Sequence, residues 1–217
     1  MGGSRRRELI GLTVQIDASS IPGPFVSDYE AIPIAFEVTS VLDARRRPGS
    51  SRFTLTESAI APSYVKDYDA ISDRPTDWAN RFDTSQWVLL LARTNVQPAG
   101  GAAVAVRTPQ LDMLEGRNDL AVLWDIRVAP PLRVQGVGRA LFQAAEAWAH
   151  AHGCRELKVE TQNVNVAACR FYAAMGCELR AVREHAYPSC PGEAQFLWYK
   201  ALRVSADPLT EETRPRA

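Results

Sequence analysis

The stretch VAPPLRVQGVGRALF, residues 128–142, constrains this chain more than any other. It joins a run that reads as a strand, DLAVLWDIRVAP (119–130), to one that reads as a helix, Gly136 to His152. Pro130 and Pro131 stop the strand, because proline cannot donate to a ladder. The helix carries apolar residues at Val137, Leu141, Ala144, Ala145 and Trp148, and Gly153 is placed to cap its C-terminus. At the junction Arg133, Gly136 and Gly138 fit R-x-x-G-x-G. Glycine lets backbone approach an anion closely, and the first amides of a helix have no intrahelical acceptor. Those amides and the helix dipole attract a pyrophosphate, to which Arg133 and Arg139 add charge. Turn glycines with no ligand are the plain alternative. A dinucleotide fold is a second, since Glu160 falls about where its ribose acid is expected, but Leu141 stands where its third glycine belongs. A P-loop ends in Gly-Lys-Ser/Thr, and Gly138-Arg139-Ala140 does not.

The rest of the chain reads as strands around this unit. Residues 1–30 show weak periodicity and a breaker cluster, Ile21-Pro22-Gly23-Pro24, and so read as an irregular lead-in. PIAFEVTSVL (33–42) alternates as a first strand, RRRPGSS (45–51) is a turn, and RFTLTES (52–58) is its hairpin partner. Residues 59–83 are mixed and polar and read as short helical turns. WVLLLAR (87–93) and AAVAVRT (102–108) are strands around the turn NVQPAGG. ELKVETQ (156–162) is a strand of the buried type. Asn165 then caps a short helix running to Met175, with Gly176 as its stop. CELRAVREHAY (177–187) and EAQFLWYKAL (193–202) are the last strands, and the tail from 205 to 217 is polar. A strand–helix–strand unit inside a mostly antiparallel set predicts an α/β (α+β) fold on a mixed sheet, with one domain over 31–204.

Composition excludes several classes. Lys plus Arg is 25 and Asp plus Glu is 25, so a nucleic-acid partner held by a broad basic surface is not expected. No run of eighteen apolar residues predicts a membrane-spanning helix. Arg5, Arg6 and Arg7 are not followed by the apolar stretch of a secretory leader. Cys154, Cys169, Cys177 and Cys190 form no CxxC pair and have no histidine at finger spacing, which predicts reduced thiols in a cytoplasmic protein and no metal.

At this point the chain resembles the GNAT acetyltransferase superfamily over about residues 33–202. Residues 133–138 look like its acyl-CoA pyrophosphate loop, and the strand ending at Val128 like the one whose backbone pairs with the pantetheine arm. ETQNVNVAACRFYAAMGCEL (160–179) looks like the second half of its motif. WDIRV (124–128), VETQNVNVAACRFY (159–172), FLWYK (196–200) and YVKDYD (64–69) resemble the streptothricin acetyltransferase branch. Trp124, Arg127 and the PSCPG segment after Tyr187 depart from that branch. The resemblance implies acetyl-CoA as co-substrate. It also implies a cofactor-binding set of Ile126, Arg127, Val128, Arg133, Val134, Gln135, Gly136, Val137, Gly138, Arg139 and Asn165.

It further implies that Tyr172 faces the CoA thiolate, where a phenol can donate a proton or a hydrogen bond to the leaving group. Asp125 and Glu160, on the strands flanking the expected seam, are the carboxylates that can hold an ammonium and take its proton. An ordinary ion pair, with Arg127 or Lys158, is the alternative for each. His185 reads as a surface or packing residue, His150 and His152 as partners of a helix dipole, and Trp124, Trp148 and Trp198 as core. The expected acceptor is a small cationic amine of the streptothricin kind. A protein lysine, a protein N-terminus and a polyamine are the other acceptors, a non-catalytic acyl-CoA-binding module is the other class, and a homodimer is open.

Overall fold

The computed structural model describes residues 5–9, 12–95 and 97–202. Its strands are β1 (Arg5–Leu9), β2 (Leu12–Ser19), β3 (Phe36–Arg46), β4 (Phe53–Lys66), β5 (Trp87–Arg93), β6 (Pro98–Val106), β7 (Leu120–Val128), β8 (Glu156–Gln162), β9 (Glu178–Arg183) and β10 (Gln195–Ala201). The helices are α1 (Val26–Glu30), α2 (Trp78–Arg81), α3 (Val137–Ala151) and α4 (Val166–Ala174). Eight strands form one sheet in the order β1-β2-β5-β6-β7-β8-β10-β9, and β3 with β4 forms a separate hairpin. Among the described residues only the β7–β8 pair is parallel, because α3 carries the chain back between them, as the strand–helix–strand reading required.

The sheet is buried on both faces. Val137, Leu141, Phe142 and Ala145 of α3 and Cys169 and Tyr172 of α4 pack with Ala121, Leu123, Leu157 and Val159 on one face. Tyr29 of α1, Trp78, Phe82, Leu89 and Val122 build the other. Each large apolar side chain so buried contributes about 1.5–3 kcal/mol. The sequence-expected caps are present. Gly153 and Gly176 follow α3 and α4 with φ of +80° and +82°, and Asn165 accepts from the Ala168 amide at 3.1 Å.

Four expectations need correction. The irregular lead-in contains β2, whose Val14 and Ile16 are buried while it pairs with β5; the breaker cluster ends this strand rather than marking a disordered approach. The strand expected at 33–42 is β3, which lies outside the main sheet. Residues 59–66 continue β4 instead of forming helical turns, and their nearly continuous exposure left no periodicity to read. Finally, β6 starts at Pro98, so Gly100 and Gly101 lie within a strand and not in a turn. Tyr29 explains the second of these glycines: a Cβ on Gly101 would stand 2.4 Å from its ring. The polar tail at 205–217 lies outside the described residues.

Candidate active site

The β7–β8 ladder runs from Leu120↔Glu156 to Leu123↔Val159 and stops there. Both strands continue, to Val128 and to Gln162, without pairing to each other. The cause is visible on the other side of β7. Ala103 pairs with Asp125 and Val104 with Leu123, so Trp124 is an extra residue, a β-bulge. A bulge bends and twists its strand locally. It also changes the alternation. Ala121 and Leu123 face α3, and so do Ile126 and Val128, while Asp125 and Arg127 join Val122 and Trp124 on the opposite face. The result is a split seam whose β7 side, residues 124–128, has unpaired backbone edge facing β8.

The glycine loop lies at the far end of this edge. Val134 and Gly136 have φ of +56° and +90°. Left-handed residues in such a loop turn amides toward a concavity. The Val134 side chain is fully exposed, which is where a β-branched residue at positive φ must put it. Gly136 is the N-cap of α3 and no side chain caps the helix, so its first amides keep their hydrogen-bonding capacity. This fits a pyrophosphate, and the free strand edge fits an amide-bearing arm. Arg133 is used differently from its expected role. Its guanidinium donates to the carbonyls of Val128, Pro33 and Ala35, each at 3.2 Å, and so ties the loop to the segment before β3. None of those partners is a carboxylate, so its charge still adds to the field at the loop. Gln135 closes the loop through the Pro131 carbonyl at 2.8 Å. Arg139 is exposed. Asn165 spends its side-chain oxygen on the α4 cap.

Tyr172 is 4% exposed, packed against Phe142 and Phe171. Burial raises its phenol well above the usual 10, and the charges of Cys177 and Asp125 add to the shift. Cys169 and Cys177 are pushed up by burial to about 11 and about 12, so neither thiol supplies a nucleophile.

The two expected carboxylates differ. Asp125 accepts from Arg127 at 2.5 Å, and Arg127 makes two further bonds to Asp69 at 3.0 and 3.1 Å. The Arg127 side chain is 2% exposed and lies over the Tyr29 ring at 4.8 Å. Burial raises the Asp125 pKa, and Arg127 opposes the shift. Asp125 is therefore an internal ion-pair member. Among the described residues no cation reaches Glu160: its oxygens accept from Tyr187 at 2.6 Å and Gln195 at 2.7 Å. The neighbouring lysines are engaged elsewhere, Lys158 with Glu115 and Lys66 with Glu193. Gln162 donates to Tyr187 at 3.1 Å and accepts from Tyr68.

Tyr68, Asp69, Gln162, Tyr187 and Gln195 did not stand out as site residues in the sequence. Only the resemblance of YVKDYD pointed near the first two. His185 sits in the loop after β9 with φ of +59°, and His152 stacks on Trp148 at 3.9 Å. Trp198 is core, bonded to Thr161 at 2.9 Å, and Trp124 belongs to an aromatic cluster with Phe82 and Trp87.

Comparison with known proteins gives the family. The family model described as "Acetyltransferase (GNAT) family" matches residues 54–177. Streptothricin acetyltransferase A of Bacillus subtilis (strain 168) is 38% identical over 84 residues, which is 38% of this chain and 49% of that protein. The chain thus aligns with about half the length of that curated relative. Among solved structures, a nourseothricin acetyltransferase matches with a TM-score of 0.67 at 24% identity, over 88% of this chain and 99% of that one. A protein described as "putative streptothricin acetyltransferase from Bacillus anthracis str. Ames in complex with acetyl coenzyme A" matches with a TM-score of 0.69 at 23% identity, over 86% of this chain and 99% of that one. At those identities the two structures establish the fold.

Proposed function

The chain belongs to the GNAT acetyltransferase family, and from that premise we propose that it moves an acetyl group from acetyl-CoA to a primary amine of a small cationic molecule. The observation that carries this reading is the split seam: an uncapped helix N-terminus and a free strand edge serve it from one side, and an uncompensated carboxylate serves it from the other. The amides of Val137 to Arg139 receive the pyrophosphate. The backbone of 126–128 aligns the pantetheine arm, so that the thioester lies between β7 and β8.

Glu160 holds the acceptor as an ammonium and takes a proton from it, directly or through water, because only the neutral amine has a lone pair for attack. The nitrogen bonds to the thioester carbonyl carbon and the carbon–sulfur bond breaks. The sulfur leaves as thiolate and takes the Tyr172 hydroxyl hydrogen, while the acylated nitrogen releases its surplus proton through water to the tyrosinate and Glu160 returns its own proton to solvent. A raised phenol pKa keeps that hydrogen in place at neutral pH. Asp125 has no proton-transfer role in this scheme, since its charge is matched by Arg127.

The acceptor class rests on charge and on the relative's name. The chain is neutral overall, so selectivity for cations must be local, and Glu160 is the carboxylate at the split without a basic partner. The Bacillus subtilis relative is named for streptothricin, and a streptothricin-like antibiotic has such amines. The test is mass spectrometry of the purified protein with acetyl-CoA and four acceptors: a streptothricin, a polyamine, a lysine peptide and a free N-terminal peptide. We expect acetylation of the streptothricin at the greatest kcat/KM. Preferred acetylation of either peptide refutes the acceptor, and no acetylation or acetyl-CoA turnover with any of them refutes the activity.

A further inference from the structure

The carboxylate that the proposed reading selects is not held by its own strand alone. Tyr68 donates to the Gln162 side-chain oxygen, the Gln162 amide donates to the Tyr187 hydroxyl at 3.1 Å, and Tyr187 donates to Glu160 at 2.6 Å. Each link has one polarity. A tyrosine hydroxyl has a single hydrogen and an amide has one acceptor oxygen, so fixing Tyr68 as donor fixes which way Gln162 faces and then which way Tyr187 donates. The chain of bonds ends on Glu160, whose other oxygen accepts from Gln195. A carboxylate offers about four lone-pair sites, so two remain for an incoming ammonium.

The residue after Tyr68 reaches the other side of the split. Asp69 binds Arg127 of β7 through both oxygens. Both residues lie in one 3-10 turn, Tyr68–Ala70, which is closed by the Asp67 side chain accepting from the Asp69 amide at 3.1 Å. The Phe36 ring packs on Tyr68 at 5.7 Å. One short turn therefore grips β7 by an ion pair and β8 by a hydrogen bond, just where the ladder between them has ended.

We propose that Tyr68 is a positioning residue for the acceptor: acting through Gln162 and Tyr187, it orients the Glu160 carboxylate, while Asp69 holds β7 in the same frame. The inference rests on the reading of Glu160 as the acceptor-binding group. Tyr68→Phe removes the hydroxyl alone and keeps the ring on Phe36. Without its donor, Gln162 is free to turn over, Tyr187 can donate elsewhere, and Glu160 loses a fixed orientation.

The experiment compares the full chain with Y68F, E160Q and Y68F/E160Q, measuring kcat and KM for the best acceptor of the panel, acetyl-CoA Kd and Tm. Y68F should raise acceptor KM about fivefold to tenfold, keep acetyl-CoA Kd within about twofold, and unfold near the parent temperature. About tenfold corresponds to 1.4 kcal/mol, within the range for the net contribution of one neutral hydrogen bond such as Tyr68–Gln162. Because Tyr68 acts through Glu160, Y68F/E160Q should be no worse than E160Q, a non-additivity that general loosening of the fold does not produce. Acceptor KM in Y68F within twofold of the parent, beside a clear loss in E160Q, overturns this inference alone. So does an additive loss in the double variant, or an equal loss of acetyl-CoA affinity. An E160Q protein that handles the acceptor like the parent overturns the role of Glu160 and this inference with it.

Discussion

The two arms of the split carry one acidic candidate each, and the arms are built on opposite principles. On β7, Asp125 meets a guanidinium that is also bound by Asp69, by the Ile32 carbonyl and by the face of Tyr29. Every charged group there has an ion-pair partner, two carboxylates sharing one guanidinium, and Asp125 and Arg127 are nearly out of water. On β8, Glu160 accepts from a phenol and an amide and has no ion-pair partner among the described residues. A buried ion pair fixes geometry, and breaking it by removing one partner is costly. A carboxylate held by neutral groups remains an electrostatic site for a cation. On the proposed reading the first arm is a frame and the second a receptor, although both residues are strand carboxylates.

The comparison needs a reference that acts whichever arm receives the amine, and Tyr172 provides it. Tyr172→Phe should retain acetyl-CoA binding and slow turnover by about 100- to 10,000-fold, the usual scale for general acid–base assistance. A loss within about threefold, with chemistry limiting the rate, assigns Tyr172 to packing with Phe142 and removes the split as the reacting centre.

The next effect concerns the cofactor side. A Cβ at Gly138 would meet Phe171 and Val128 at 3.6 Å, ordinary contact, so the fold itself accepts a small side chain there. A larger one obstructs the approach of a pyrophosphate to the helix amides. Gly138→Val should weaken acetyl-CoA binding about tenfold or more by calorimetry, and a folded variant with parent affinity places the phosphates elsewhere.

The sharpest comparison pairs Glu160→Gln with Asp125→Asn. Glu160→Gln should raise acceptor KM about tenfold and leave stability close to the parent, since the amide can still accept from Tyr187. Asp125→Asn should do the reverse. It weakens one charged partner of Arg127 while Asp69 remains, costing about 1–3 kcal/mol in denaturant unfolding, with little change in acceptor KM. If the pattern is inverted, β7 is the receptor and β8 the frame.

The legibility of this molecule follows the range of the forces involved. Strand β8 fell on the residues read for it, and α3 and α4 within one residue, because each is specified by neighbours three or four positions away: the apolar spacing of α3, the Asn165 cap, and the stops at Gly153 and Gly176. The R-x-x-G-x-G loop was legible for the same reason. Asp125 and Glu160 were found as residue types on the correct strands, yet nothing local separates them. The Trp124 bulge reverses the side on which Asp125 would stand by simple alternation, and it is set by pairing with β6. Each carboxylate has a basic residue two positions away, Arg127 and Lys158; Arg127 does pair with Asp125, but folding brings Glu115 to Lys158 and leaves Glu160 to Tyr187 and Gln195, partners distant in sequence. The sequence by itself determined the helix with its anion-ready terminus, the strand beside it and the phenol that follows. Which carboxylate is held in an ion pair was decided only in the tertiary structure, because a carboxylate's partners are the groups that folding brings within a few ångströms of it.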